Sequence, residues 1–127
     1  MARKRSPNLT EAELRLMDVI WDRGPCTVSD VAESLKDLGL AYNTVLTTMR
    51  ILEDKGFLQH VKPVEGRAFV YEALVGRDEA GRNAVRYLVS RFFRNSPELL
   101  VLNVLNDEDL TARELGRIRK LIAEDAQ

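Results

Sequence analysis

The sequence predicts a mainly α-helical fold, in which three short helices and a β-hairpin precede three more helices. Helix-start patterns recur at Thr10, Thr27, Ser96 and Thr111. Two short runs of β-forming residues flank a turn that contains proline and glycine. After this hairpin, every apolar pattern has the period of a helix.

The composition is that of a soluble folded protein. The chain has 127 residues, of which 45% are apolar and 31% are charged, so we expect one domain, or two small ones that need each other. No apolar run approaches the roughly 18 residues of a membrane span. The basic residues at the start are not followed by the apolar stretch of a signal peptide. We therefore expect a cytoplasmic protein that does not insert into membranes.

Cysteine and histidine each occur once, as Cys26 and His60. A single cysteine excludes an internal disulfide and any site with several thiolates, and we expect Cys26 to be a small buried hydrophobic residue. A catalytic triad or a metal cluster would have to be built around one imidazole. We expect no cofactor, no metal and no enzymatic activity.

Charge is balanced along the chain. Residues 1–76 hold 10 Lys or Arg against 11 Asp or Glu, and residues 77–127 hold 9 against 9. Bulk electrostatics would therefore not draw the protein to nucleic acid. The local distribution is more favourable, because residues 38–52 contain Arg50 and no acid. A basic arm at residues 3–5 either touches phosphates or is only a disordered, soluble terminus.

The first helix has clear start and stop signals. Thr10 and Glu13 form a capping-box pattern, and the helix is expected to reach about Asp22 before Gly24-Pro25 ends it. Its expected inward-facing residues are Leu14, Met17 and Trp21.

A second helix is expected to begin at Thr27, which has Asp30 three residues later, and to continue to about Leu38 before Gly39. Its expected inward-facing residues are Val31 and Leu35.

The third helix, from Ala41 or Tyr42 to Gly56, has two unlike faces. At 100° per residue, one face is apolar and its spacing is that of a buried stripe, with Val45, Met49 and Leu52. The opposite face is polar, with Asn43, Thr47, Arg50 and Asp54. Short hydrogen-bonding side chains and one arginine can reach base edges or phosphates in a major groove.

Two runs of β-type composition follow, at residues 57–62 and 67–74, separated by Pro63-Val64-Glu65-Gly66. This pattern predicts a hairpin. Three short helices followed by a two-stranded hairpin is the order of a winged helix-turn-helix. The third helix would be the reader and the hairpin the wing.

From Arg77 onward the pattern is wholly helical. One helix is expected to end near Asn95, a second to begin at Ser96-Pro97, and a third to begin at Thr111. These helices are apolar on too many faces to bury themselves alone. They either pack on the N-terminal domain or, as we prefer, form a homodimer whose two-fold axis suits a palindromic DNA site. The expected domains are therefore 1–76, binding DNA, and 77–127, dimerising. The expected dimerisation residues are Leu88, Phe92, Leu99, Leu102, Leu105, Leu115, Ile118, Leu121 and Ile122.

Five motifs occur in an order and spacing that are fairly specific. They are Leu9-Thr10-Glu11-Ala12-Glu13, Val19-Ile20-Trp21, Ala41-Tyr42-Asn43-Thr44-Val45, Leu52-Glu53-Asp54-Lys55-Gly56 and Ser96-Pro97-Glu98-Leu99-Leu100-Val101-Leu102-Asn103. With these motifs the sequence resembles the penicillinase and methicillin-resistance repressor family (BlaI/MecI type) from Leu9 to Ala123. The resemblance implies a winged-helix transcriptional repressor with a helical dimerisation domain, which binds an inverted-repeat operator.

The sequence departs from the family pattern in two places. Members of the drug-resistance type are inactivated by proteolysis at an Asn-Phe bond, which implies a membrane-bound sensor protease as a partner. The matching pair here is Asn103-Val104, so the aromatic residue for a protease pocket is missing. Copper-responsive relatives carry cysteines near the C-terminus, and this chain has none there.

The expected DNA contacts lie on the third helix and the wing. We expect Asn43, Thr44, Thr47 and Arg50 to face the major groove. The asparagine amide can pair with adenine, the arginine guanidinium can pair with guanine, and the threonine methyl groups can contact the methyl groups of thymine. Phosphate contacts are expected from the residues at the helix edges and on the wing, namely Tyr42, Thr48, His60, Lys62 and Arg67. Arg82 and Arg86, by contrast, are expected to be exposed helix charges.

Two other functions remain open. A winged helix can serve only for protein contacts, and a steep loss of duplex binding with salt would argue against that reading. A small-molecule sensor would hold its ligand between the winged and helical domains, but no convergent polar cluster in the sequence marks such a pocket.

Overall fold

The computed structural model describes residues 8–62, 67–107 and 109–125. Its regular elements, in chain order, are α1 (Glu11–Arg23), α2 (Val28–Ser34), a 3-10 turn (Lys36–Leu38), α3 (Tyr42–Asp54), β1 (Leu58–Val61), β2 (Val70–Ala73), α4 (Arg77–Phe92), α5 (Pro97–Leu105) and α6 (Ala112–Asp125). The predicted order of elements is confirmed. No helix in this part of the chain is long and apolar enough to cross a bilayer.

The chain divides into two compact units, Met1–Val85 and Arg86–Gln127. The division falls inside α4, whereas the sequence placed the domain boundary at the start of this helix, between residues 76 and 77. Compactness alone does not say which residues bind DNA or a second chain. The functional boundary therefore stays a prediction.

Helix α1 begins at the predicted cap but buries a different stripe from the predicted one. The Thr10 hydroxyl accepts a hydrogen bond from the Glu13 backbone N–H, and the Glu13 carboxylate accepts one from the Thr10 N–H. The prediction that Leu14 is buried is wrong, because its side chain is 38% exposed. Trp21 is only partly buried. The buried residues of α1 are Glu13, Leu16, Met17 and Ile20, which have the i, i+3, i+4, i+7 spacing of one helix face.

Helix α2 is shorter than predicted. It ends at Ser34, and the backbone then tightens into the 3-10 turn, where the Leu38 N–H bonds to the Leu35 carbonyl oxygen and the Gly39 N–H to that of Lys36. Gly39 has φ 73°, the left-handed value that favours glycine. The tighter turn leaves Leu38 exposed, while Val31 and Leu35 are buried as predicted.

The hairpin packs on the three helices through its base. Strands β1 and β2 are antiparallel, with Leu58 facing Ala73 and His60 facing Tyr71. Cys26 extends this sheet by one residue, because it exchanges both backbone hydrogen bonds with Tyr71, at 3.0 and 2.7 Å. Cys26 is buried, as predicted, and burial raises the pKa of its thiol.

A largely buried ion pair joins the start of α1 to the end of α3. The Lys55 ammonium lies 2.8 Å from Glu13 Oε1, and the two side chains are only 16% and 6% exposed. The same ammonium donates to the Asn8 carbonyl oxygen, at 3.3 Å. Both ends of this contact are fixed, since Glu13 also caps α1. The pair therefore holds the C-terminal end of α3 against α1.

A second polar cluster holds the segment that enters α4. The Trp21 indole N–H donates to the Val75 carbonyl oxygen at 2.9 Å. The Arg77 guanidinium lies 5.2 Å from the centre of the Trp21 ring and pairs with Asp18 and Asp22. These two carboxylates raise the pKa of Arg77. The first turn of α4 is thereby tied to α1.

The C-terminal unit has the predicted helix ends and little buried surface. The Ser96 hydroxyl caps α5 by accepting from the Leu99 N–H, and Thr111 with Glu114 forms a capping box on α6. The hydrogen bonds that the Glu114 carboxylate accepts from Thr111 lower the pKa of Glu114. Arg94 and Asn95 have φ 52° and 62° where α4 ends. No described residue of α5 or α6 is buried.

Candidate nucleic-acid interface

The predicted polar face of α3 is exposed, and its predicted apolar face is buried. Val45, Met49 and Leu52 are each 0% exposed, so the rotation of the helix about its axis is fixed by the core. The exposed side chains on the outer side are Asn43, Thr44, Thr47, Arg50 and Asp54. The core therefore presents a set of amide, hydroxyl and guanidinium groups to solvent, as the sequence pattern predicts.

The start of α3 offers free backbone donors. Its N-cap residue is Ala41, which makes no side-chain capping hydrogen bond, and its first turn contains no acidic residue. Tyr42 begins the helix and is half exposed. Thr48 differs from its neighbours, because its hydroxyl donates to the Thr44 carbonyl oxygen at 2.8 Å. An uncapped N-terminus attracts anions through the helix dipole and its unpaired amides.

Arg50 is the one basic residue on this face. Its side chain is exposed and has no hydrogen-bond or ion-pair partner among the described residues. A planar guanidinium with five donors is suited to bidentate contacts. It is therefore available to an external acceptor.

The wing places three predicted contacts at the surface. His60, Lys62 and Arg67 are all exposed. The predicted turn at residues 63–66 and the basic arm at residues 3–5 lie outside the described residues.

His60 is already engaged within the protein. Its Nδ1 lies 2.6 Å from Oε2 of Glu53, on the last turn of α3, and its backbone N–H donates to the same oxygen at 3.3 Å. The ring packs at 4.9 Å from Phe69 and 5.7 Å from Tyr71, between centroids. Burial raises the pKa of Tyr71, the Glu53 charge raises it further, and Arg50 lowers it. Glu53 therefore joins the last turn of α3 to β1.

The residues predicted for dimerisation are mostly exposed in the single chain. Phe92 is the most exposed at 73%, followed by Leu121 and Ile122. Leu88, Leu99 and Leu102 are also exposed, while Leu105, Leu115 and Ile118 are partly buried. The pair that matches the cleavage site of drug-resistance relatives, Asn103 and Val104, is exposed within α5. Arg82 and Arg86 are exposed on α4.

The sequence pattern does not indicate the partners of two acids, Glu13 and Glu53, whose contacts join the end of α3 to α1 and to β1. Glu13 and Glu53 belong to motifs that were noticed, but their partners Lys55 and His60 lie 42 and 7 residues away. A helical or strand period has no means of pairing residues across elements. The local signal for Glu53 is its place in the last turn of α3, shortly before the chain enters β1.

Three comparisons with known proteins agree with this architecture. Residues 9–124 match the family described as penicillinase repressor. The chain is 29% identical to the penicillinase repressor of Bacillus licheniformis over 95% of this chain and 94% of that protein. It is 23% identical to the methicillin resistance regulatory protein MecI of Staphylococcus aureus strain N315, over 90% of this chain and 92% of that protein.

A solved structure supports the fold of the N-terminal unit. The solution structure of the DNA binding domain of the repressor BlaI is 33% identical and superposes with a TM-score of 0.52, covering 61% of this chain and 93% of that one. The predicted winged helix-turn-helix is therefore confirmed, as is the resemblance drawn from the sequence motifs. The family consists of transcriptional regulators and not of enzymes. The chain belongs to the penicillinase repressor family of DNA-binding transcriptional repressors.

Proposed function

We propose that the protein acts as a homodimer that represses transcription by binding an inverted-repeat operator, with α3 of each chain in a major groove. The observation that carries this proposal is the outer face of α3, which is exposed, uncapped at its start and free of acid from residue 38 to residue 52. In helix-turn-helix proteins the N-terminal residues of the second helix of the motif reach base edges. Asn43, Thr44 and Thr47 lie in the N-terminal half of α3, and Arg50 follows Thr47 by three residues.

The base contacts follow from side-chain chemistry. The Asn43 amide can donate to N7 or accept from N6 of adenine, and the Arg50 guanidinium can donate to O6 and N7 of guanine. The methyl groups of Thr44 and Thr47 fit against thymine methyls. Each good bidentate pair discriminates by about 1 to 3 kcal/mol, so Asn43 and Arg50 would supply most of the sequence preference.

The phosphate contacts position the helix in the groove. Tyr42 flanks the reading face, and Lys62 and Arg67 are exposed on either side of residues 63–66. Thr48 would donate to a phosphate only after its hydroxyl leaves the Thr44 carbonyl oxygen. Contacts to phosphates are independent of sequence and are weakened by salt. If the α3 face served only protein contacts, no duplex would bind with a steep salt dependence.

Dimerisation through the C-terminal unit is supported by its unburied apolar side chains. Helices α5 and α6 contain no buried residue in the single chain, although α5 is apolar nearly all round. Apolar surface of this extent is favourably removed from water by a partner. A second copy is the partner that also doubles the reading surface on a palindrome.

We expect Arg50→Ala to weaken operator binding by about 1 to 3 kcal/mol and to relax the preference at one base pair in each half-site. The measurement is a titration of the purified protein on the operator and on duplexes altered at single base pairs. The operator is first located by footprinting the DNA upstream of the coding region, which also gives the half-site spacing.

The matched control for this variant is Arg82→Ala, which removes the same charge from an exposed position on α4 and should leave operator affinity nearly unchanged. Unchanged affinity and selectivity in Arg50→Ala would remove Arg50 from the reading face. An equal loss on every duplex would make it a phosphate contact instead.

Induction through a membrane-bound sensor protease would require cleavage of the Asn103–Val104 bond. This bond lies inside α5, and the helix continues beyond it, since the Asn106 N–H bonds to the Leu102 carbonyl oxygen at 3.0 Å. Cleavage would require local unwinding of α5. Mass spectrometry of the protein from induced cells tests the route, because it would find a fragment ending at residue 103 or only the intact chain.

A further inference from the structure

Glu53 and His60 form a contact between α3, which is the proposed recognition helix, and the wing, which is the hairpin of β1 and β2. Glu53 lies in the last turn of α3, three residues after Arg50, and His60 lies in β1. One carboxylate oxygen accepts from two groups of the same residue, the ring Nδ1 at 2.6 Å and the backbone N–H at 3.3 Å. The two side chains are 30% and 43% exposed. This arrangement fixes both the backbone and the ring of His60.

The backbone geometry of the sheet explains why the His60 N–H is available. Tyr71 faces His60, and it directs both its N–H and its carbonyl oxygen to Cys26 on the other side of β2. In an antiparallel pair, such facing residues do not hydrogen-bond to each other, and their N–H groups point to opposite edges. The His60 N–H therefore points to the outer edge of β1. Glu53 is the acceptor at that edge.

The His60 ring is held from the other side as well. Phe69 and Tyr71 lie 4.9 and 5.7 Å away, between ring centroids, in tilted arrangements. The ring is thus placed between the aromatic residues of the hairpin and the carboxylate of α3. Its first ring nitrogen is occupied within the protein, which leaves less of the side chain for a phosphate.

We infer that Glu53, acting through His60, is the positioning residue that sets the wing relative to the recognition helix. This inference rests on the proposed function and assigns His60 a role other than the phosphate contact expected from the sequence. Lys62 is two residues beyond His60 and directly follows β1. The direction that the strand takes at His60 therefore determines where Lys62 meets the DNA backbone.

The test separates positioning from charge. A carboxylate beside DNA repels phosphates, so charge alone predicts that removing it tightens binding. Glu72→Ala is the matched control, because Glu72 lies on the hairpin, pairs with Gln59 and, with it, occupies the opposite face from His60 and Tyr71. It removes the same charge from the wing without touching α3. Glu53→Gln keeps an oxygen that can still accept from His60.

Four variants are compared on the wild-type operator by hydroxyl-radical footprinting and by titration at several salt concentrations. Glu53→Ala and His60→Ala should lose protection of the backbone that flanks each half-site and keep protection within the major-groove site. Log affinity decreases linearly with log salt, and the steepness of this decrease should become smaller by about 1 to 2 for the dimer. Affinity should fall by about three- to tenfold relative to Glu72→Ala, while Glu53→Gln should retain most of the flanking protection.

A double-mutant cycle completes the test. If the two residues act as one contact, the double variant Glu53→Ala/His60→Ala should bind no more weakly than either single variant. Lys62→Ala should weaken operator binding when it is made in the wild-type protein, and it should have little effect on binding in the Glu53→Ala background. Tighter binding by Glu53→Ala than by Glu72→Ala, or additive losses in the double variant, would overturn the inference.

A measurement on the protein without DNA tests the positioning role of Glu53 independently of the proposed function. Amide 15N relaxation of residues 60–62 and 67–70 in the free protein should show an ordered wing in the wild type and in Glu72→Ala. The same amides should become more mobile in Glu53→Ala and His60→Ala. An equally ordered wing in all four proteins would overturn the positioning role even if operator binding is as proposed. If no duplex binds at all, the proposed function fails. The relaxation measurement still shows whether the contact between Glu53 and His60 orders the wing.

Discussion

We expect Leu102→Asp to give a monomer that binds the operator at least about a hundredfold more weakly than the parent protein, because two linked half-sites gain affinity by acting together. Leu102 lies in α5 and is 46% exposed in the single chain, so its own chain has room for a carboxylate. In a dimer the same carboxylate would be buried without a partner, which costs several kcal/mol. The substitution should therefore break the assembly and spare the fold.

The measurement is sedimentation of the purified variant together with titration of the operator. Asn103→Asp is the control, because it adds the same charge to the neighbouring residue of α5, which is already polar and exposed. The control should sediment as a dimer, and both proteins should show the same thermal unfolding of the N-terminal unit. An intact dimer of Leu102→Asp would refute the assignment of this face.

The parts of the fold that the sequence predicts are those set by local rules. The α3 stripe of Val45, Met49 and Leu52 follows from helical period alone, and all three residues are fully buried. The capping patterns at Thr10 and Thr111 need only residues three positions apart, and both form. The hairpin follows from composition around a turn. Each of these signals is contained within a few residues.

The errors come from choices that only tertiary packing makes. On α1, the predicted stripe that includes Leu14 and the observed one that includes Leu16 have similar helical spacing. The observed stripe contains Glu13, whose charge argues for exposure until Lys55, from the end of α3, is placed beside it. On α2, the helix predicted to reach about Leu38 ends at Ser34, where the backbone tightens into the 3-10 turn. Period alone cannot decide such cases.

The candidate site divides in the same way. The outer, polar face of α3 could be predicted, because the buried stripe fixes which side chains point outward. The contact between Glu53 and His60 could not, since it depends on how β1 leaves the helix. Likewise, the position of α3 itself depends on the ion pair at its end.

Lys55→Ala should lower the free energy of unfolding by about 2 to 3 kcal/mol at neutral pH, because it leaves the Glu13 carboxylate buried without its counter-ion. The matched control is Lys36→Ala. Lys36 and Glu33 have the same 2.8 Å separation as Lys55 and Glu13, but their side chains are 65% and 71% exposed. An exposed pair contributes less than about 1 kcal/mol, so burial is the difference under test in chemical denaturation.

The pH dependence of this loss identifies its cause. Burial alone would raise the pKa of Glu13, but the hydrogen bond from Lys55, with those from Thr10, outweighs it and lowers the pKa. A lowered pKa in the folded state adds stability above the ordinary glutamate pKa, and this stability is lost as the pH falls through the lowered value. Without Lys55, burial should raise the pKa, so acid should now relieve the penalty. The gap between the two proteins should therefore be widest near pH 7 and close toward acid, and Glu13→Gln/Lys55→Met should recover part of the loss at neutral pH. A gap that is constant with pH would mean that Lys55 acts by packing its alkyl chain and not by its charge.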